Sequence, residues 1–316
     1  MVQDYGITYA KLMLFGEYGI LLGGAALTIP LTRFSAKFDF IDNALDTEIA
    51  SKSNKVLHGF AEFLEKIESI TSEIDVTGFK LDIKDGLYLL SDIPIGYGVG
   101  SSGVLCAAIY KAFGKNHQPV YYLPDNLLLH KSLFSSMEAF FHGKSSGLDP
   151  LACLVGKPLL IREKEISVLH SVYQLKGNWF LVDSGTSRNT GQLVEKFLTK
   201  CYKSEFKNDF QSNYISVVNT LIDQIKDEEL VKEGSSAIRR MEKYMEAISL
   251  MQLRYFNEMI PAFLVPLWQQ GLDTGCFYLK LLGAGGGGYY LGISQQKTTT
   301  EEMVAAYGFK LQWLDV

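Results

Sequence analysis

The sequence predicts a two-domain α+β protein, and three patterns carry that expectation. Up to about residue 115, short β-rich runs alternate with glycine breaks, which reads as a mostly antiparallel sheet. Between those runs, apolar residues at three-and-four spacing mark amphipathic helices. From roughly residue 189 to 270 the pattern turns strongly helical before strands resume, so the halves differ in texture. The boundary falls near Lys176, giving domains 1–175 and 176–316. With 316 residues, 47% of them hydrophobic, 8 prolines and a mean hydropathy of +0.07, the chain can bury two ordinary cores. Disordered and fibrous folds are excluded.

Taken in order, strands are expected over residues 7–15 and 33–41. Residues 54–70 place Val56, Leu57, Phe60, Phe63, Leu64 and Ile67 on one helical face. Residues 79–90 alternate like a hairpin turning at Lys84-Asp85-Gly86. Helices follow over 101–113 and 124–141, the second opened by Pro124 as a helix start prefers. Later helices are clearest at 219–232 and 235–259, and strands return at 276–282 and 289–293. No internal repeat or low-complexity tract interrupts the chain.

Thirty basic against 35 acidic residues leave a net charge of −5, so there is no electrostatic footprint for a nucleic acid and a small-molecule partner is expected. Residues 12–31 are the most apolar stretch, yet they contain Glu17 together with Gly16, Gly19, Gly23 and Gly24, which suits neither a membrane span nor a secretory signal. Cys106, Cys153, Cys201 and Cys276 stand far apart, which argues against a disulfide framework or a structural zinc site. A cytoplasmic enzyme is the expectation. His58, His117, His130, His142 and His170 form no close pair, and each reads as a surface or packing residue.

Three stretches carry chemistry. Pro94-Ile95-Gly96-Tyr97-Gly98-Val99-Gly100-Ser101-Ser102-Gly103 runs straight into an apolar helix. Glycines allow close backbone approach, and a helix N-terminus offers unpaired N–H groups to an anion, so this is a candidate phosphate cradle. Gly98 to Gly103 also match G-x-G-x-x-G, with Asp125 downstream, which keeps an NAD(P)-binding oxidoreductase as an alternative. Gly143-Lys144-Ser145 is no P-loop, because the earlier glycine it needs would fall at Glu138. The second stretch joins Glu138 to Asp149 across a loop of small residues, two carboxylates suited to a metal ligand and a general base. The third, Gly283-Ala284-Gly285-Gly286-Gly287-Gly288, holds more glycine than a hairpin requires, which favours a ligand against its backbone.

In this order and spacing the three stretches resemble the GHMP kinase superfamily over nearly the whole chain. The superfamily's P-x-G-x-G-L-G-S-S-A is followed by residues 94–103, with Val99 for Leu and Gly103 for Ala. Within it the likeness is greatest to the mevalonate kinase family. That family's early G-K and G-E-H-A-V-V correspond to Ala10-Lys11 and Gly16-Glu17-Tyr18-Gly19-Ile20-Leu21. Its E-x-x-x-H-G-x-P-S-G-x-D is matched by Glu138, His142, Gly143, Ser146, Gly147 and Asp149, with Ser145 in place of proline. Its R-x-T is matched by Arg188-Asn189-Thr190.

The resemblance implies a GHMP kinase fold, with an N-terminal domain like the ribosomal S5 domain 2 and a ferredoxin-like C-terminal domain. It implies ATP and Mg²⁺ as cofactors and mevalonate as the phosphoryl acceptor. By position, Asp149 would take the proton of the substrate hydroxyl, Lys11 would steady the alkoxide, and Thr190 would line the reacting groups. Pro94, Gly96, Gly98, Gly100, Ser101, Ser102 and Gly103 would bind the nucleotide, with Ser102 and Glu138 holding the metal. Glu17, Tyr18, Ser146, Gly147, Arg188, Gly285 and Gly286 would meet the substrate. No nucleic acid or membrane partner is implied, and a homodimer is admitted. Tyr18 replaces the family's histidine near the substrate, so phosphomevalonate, a sugar or an amino alcohol remain alternative acceptors, and a catalytically silent GHMP-fold protein is a further alternative.

Overall fold

The computed structural model describes residues 5–115, 124–163, 165–169, 177–187, 190–227 and 234–314. The chain divides into two compact units, the first Met1–Lys11, Pro30–Pro94 and Gly100–Lys157, the second Leu12–Ile29, Ile95–Val99 and Pro158–Val316. This differs from a single cut near Lys176. Composition along the chain cannot show it, because two long strands and one glycine loop are each divided between the units.

In the first unit, strand β1 (Thr8–Phe15) begins and strand β2 (Ala26–Phe40) ends. The end of β2 pairs antiparallel with β3 (Leu87–Ser91), setting Phe38 opposite Leu89. Helix α1 (Thr47–Leu64) starts earlier than its apolar spacing suggests, because Asp46 caps it by accepting from the N–H groups of Glu48 and Ile49, both at 3.0 Å. Its buried face is Ala50, Leu57, Phe60, Ala61 and Leu64, and a separate short helix α2 (Glu68–Thr71) follows.

The expected hairpin over 79–90 is instead a helix, α3 (Val76–Lys84), followed by β3. Phe79, Leu81 and Ile83 alternate like a strand, yet Leu81 is 55% exposed while Val76, Phe79 and Ile83 are buried at helical spacing. Asp75 supplies the start signal, accepting from the Gly78 N–H at 3.0 Å. Three helices then position the chemistry: α4 (Ser101–Phe113), α5 (Pro124–His142) and α6 (Leu148–Val155). α4 is buried almost throughout from Gly103 to Tyr110.

In the second unit, β2 residues Ala26–Thr28 pair with β4 (Leu159–Arg162), which pairs with β5 (Glu165–Val168). A further sheet runs in the order β7 (Phe277–Leu281), β8 (Tyr289–Ser294), β6 (Asn178–Asp183), β9 (Lys310–Trp313). The helices of this unit include Thr190–Cys201, Ser216–Lys226, Gly234–Tyr255 and Val265–Thr274. Trp179, Phe180, Trp268, Phe277 and Tyr290 fill the core. The pairings β2–β3, β2–β4, β4–β5, β6–β8, β6–β9 and β7–β8 are all antiparallel. A dinucleotide fold needs parallel βαβ units, so the oxidoreductase alternative loses its scaffold. Among the described residues, no helix is long and apolar enough to cross a membrane.

Candidate active site

The first unit brings four side chains from the two acidic-motif helices, α4 and β1 into one cluster. β1 delivers Lys11 inward, 3% exposed, and its Nζ lies 2.8 Å from Asp149 Oδ1. A lysine so enclosed has to be paired, because an isolated buried ammonium is strongly disfavoured. Asp149 occupies the first turn of α6, where the helix dipole and free N–H groups favour a carboxylate. Its side chain is 36% exposed, so one face is open to solvent.

Glu138, buried on α5, is held from two sides. Ser102 Oγ donates to its Oε1 at 2.8 Å, and Ser145 Oγ donates to its Oε2. Having spent its one proton on Glu138, the Ser102 hydroxyl is the acceptor for His142 Nε2 at 3.2 Å. Burial pushes the Glu138 carboxyl above its ordinary range, the Asp149 charge pushes it further, and the Ser145, Ser102 and His142 contacts oppose both. Ser145 stands where the family pattern has proline, and that departure was the one sequence signal for its role. His142 carried no signal of its own beyond its place in the motif.

The glycine loop has the torsions a cradle requires. Gly96, Gly98 and Gly100 have φ of +81°, +84° and +85°, a region side chains rarely adopt, and Gly100 caps α4 directly ahead of Ser101. Pro94 precedes these bends at the end of its segment of the first unit. Within that unit, Gly100 lies over the Lys11 stem, and Gly103 lies against the peptide joining Asp149 to Pro150. The Ser102 neighbourhood therefore adjoins both Asp149 and Glu138. Gly147 caps α6 with φ +71°, and the Ser146 Oγ accepts from the Leu148 N–H at 3.3 Å.

Within the second unit, residues 95–99 meet the late glycine loop. A Cβ on Gly288 would sit 2.6 Å from Tyr97 Cα, and the Gly288 N–H donates to Thr186 O at 2.6 Å. The Tyr97 ring packs edge-on against Tyr289 at 5.0 Å. Gly285 lies against Met259 O, and the Gly286 N–H donates to that same carbonyl at 2.6 Å.

Two residues expected against substrate face inward. Glu17 is fully enclosed with Lys280, whose Nζ donates to Glu17 Oε1, leaving the carboxylate no surface toward solvent. Tyr18 is 5% exposed, with its hydroxyl donating to Ala284 O at 2.7 Å. The structure does not describe Arg188, nor the side chains of Thr190 and Asp125.

Magnesium fits the donor set. Among the described residues no group of three or more His, Cys, Asp and Glu forms a metal cage. Mg²⁺ does not need one, since it is commonly held by one or two carboxylates together with substrate phosphates and water. A buried carboxylate beside a second acid, with a serine hydroxyl adjoining, is a hard-oxygen set that a divalent cation would relieve of its like-charge repulsion.

The GHMP kinases N terminal domain model matches residues 54–157. Mevalonate kinase from Archaeoglobus fulgidus is 23% identical over 290 residues, covering 90% of this chain and 89% of that one. Mevalonate kinase from Arabidopsis thaliana is 28% identical over 226 residues; the match takes in 68% of this chain and spans only 57% of that relative's length. Among solved structures, L. major mevalonate kinase in complex with R-mevalonate aligns with a TM-score of 0.62 at 16% identity, covering 97% of this chain and 91% of that one. The fold is therefore the two-domain α+β GHMP kinase fold.

Proposed function

We propose that this chain is a phosphotransferase with an alcohol acceptor and that its reaction is ATP + (R)-mevalonate → ADP + 5-phosphomevalonate; the match to the GHMP kinases N terminal domain, the mevalonate kinase relatives and the fold support that reading. The observation that carries the reading is the Lys11–Asp149 pair at 2.8 Å, adjoining the glycine loop at Gly103 and the Glu138–Ser102 pair. Phosphoryl transfer asks for positioning and charge neutralisation more than for covalent chemistry, and this cluster offers both.

In this mechanism the open face of Asp149 accepts the proton of the acceptor hydroxyl as the hydroxyl oxygen attacks the γ-phosphorus. The bond from that phosphorus to the β–γ bridging oxygen breaks, and its electron pair leaves with ADP. Lys11, one ammonium against Asp149, fixes the base and steadies the developing negative oxygen. The torsions at Gly96, Gly98 and Gly100, with the N-terminus of α4 behind them, present N–H groups to the phosphates. Glu138 and Ser102 would hold Mg²⁺, which supplies neutralisation of phosphate charge.

Titrating mevalonate, phosphomevalonate, sugars and amino alcohols in an ADP-release assay tests the substrate. Turnover confined to mevalonate supports the reading. The inward Tyr18 keeps a second acceptor in view, because the family's histidine beside the substrate has no counterpart here; turnover with another alcohol alone would make that acceptor the substrate. ATP binding without transfer to any acceptor would mark the chain as catalytically silent.

A further inference from the structure

We infer that Tyr18 is a positioning residue that anchors the late glycine loop from beneath, an inference that rests on the kinase reading for its kinetic consequence. Three observations within the second unit carry it. The Tyr18 hydroxyl donates to Ala284 O at 2.7 Å, a carbonyl in the middle of the loop. The Tyr18 ring is gripped by Phe197 and Phe256, each with its centroid 4.7 Å away. Tyr18 itself sits at φ +58°, a conformation that is an outlier for a bulky residue and persists only where the surroundings over-determine it.

The neighbouring residues hold the same loop. Lys280 donates to Glu17 on one side and to Leu281 O on the other, two residues ahead of Gly283. Met259 O accepts from Gly286, and Thr186 O accepts from Gly288. The loop between β7 and β8 would otherwise be a run of glycines with little to define its shape, since glycine loses more conformational freedom on ordering than any other residue. Within residues 283–288 Ala284 is the one residue with a side chain, and Tyr18 is its polar tether. The Glu17-Tyr18 turn thus works on the loop, and through it on whatever the loop's outer backbone meets.

Tyr18→Phe keeps the ring and deletes the tether. Losing one such hydrogen bond should speed hydrogen exchange of the Gly286 and Gly288 amides roughly five-fold, and raise the KM for the acceptor by a similar factor. The kcat and the KM for ATP should stay within about two-fold, a split that a general loss of stability would not produce. Tyr255→Phe is the control: it removes a comparable hydroxyl bond, to Asp209 Oδ2 at 2.7 Å, elsewhere in the same aromatic cluster. It should move neither the loop amides nor the acceptor KM. Unchanged loop exchange in Tyr18→Phe, or faster exchange with an unmoved acceptor KM, overturns the inference. If the wild-type chain phosphorylates no acceptor, the substrate reading fails on its own, and the exchange comparison still decides whether Tyr18 holds the loop.

Discussion

Gly103 approaches the peptide between Asp149 and Pro150 so closely that a Cβ on it would sit 2.9 Å from Asp149 C and from Pro150 N. Here α4, which carries Ser102, touches the first turn of α6, which carries Asp149. The related pattern has alanine at this place, and in this chain the backbone of α6 occupies the space its methyl would need.

Gly103→Ala therefore sets two effects against each other. Alanine in a helix gains roughly 0.5–1 kcal/mol in backbone entropy. Forcing a methyl against backbone costs about 1–3 kcal/mol and has no flexible side chain to absorb it. The steric effect should win, with a lower Tm and a lower kcat as Asp149 shifts from Lys11. A Tm and kcat both equal to wild type would show that α6 yields freely.

Asp149→Asn removes the proposed proton acceptor while preserving shape. The kcat should fall by roughly 10²- to 10⁴-fold with ATP binding largely kept, as read by steady-state kinetics beside nucleotide titration. Lys11→Met should lower kcat as well. The double variant should lose far less than the two losses combined, because the pair acts as one unit.

Glu138 couples activity and stability in opposite directions. Its carboxyl titrates above the ordinary range in the folded chain, so the folded state holds the proton more tightly than the unfolded state. Stability is therefore lost as pH rises above the ordinary carboxylate value toward the raised one. In metal-free buffer Glu138→Gln should have a higher Tm than wild type at neutral pH, an advantage that vanishes in acid. The same variant should be nearly inactive, and Mg²⁺ with nucleotide should raise the Tm of wild type more than its own.

Lys280 and Glu17 form an ion pair with no exposure on either side chain. Lys280→Met leaves a buried, unpaired carboxylate and should cost about 3–5 kcal/mol in urea unfolding. Adding Glu17→Leu should recover most of that loss, since two apolar groups replace both partners. A double variant as unstable as the single one would mean that the backbone contacts of Lys280, not its charge, carry the stability.

Much of the architecture was legible in the residue order. The start of α4 and of α5, the strands β1, β7 and β8, and the bends of the glycine loop all follow from local rules of torsion, capping and periodicity. The failure over residues 79–90 has the same origin: Phe79, Leu81 and Ile83 fit a strand period while Val76, Phe79 and Ile83 fit a helix period, and only the Asp75 cap and the solvent exposure of Leu81 separate the two.

The site divides along the same line. Residue order by itself determined which chemical groups this chain possesses: a lysine on an early strand, two acids flanking a small-residue loop, and two glycine-rich bends. Only the tertiary structure decided what each group touches. It placed Ser145 and Ser102 on the two oxygens of Glu138, set Lys11 on Asp149, and turned Glu17 and Tyr18 away from solvent into Lys280 and Ala284. The reason is physical: hydrogen bonds, ion pairs and burial act between atoms a few ångströms apart, and separations such as the 266 positions between Tyr18 and Ala284 carry no local signal of that contact.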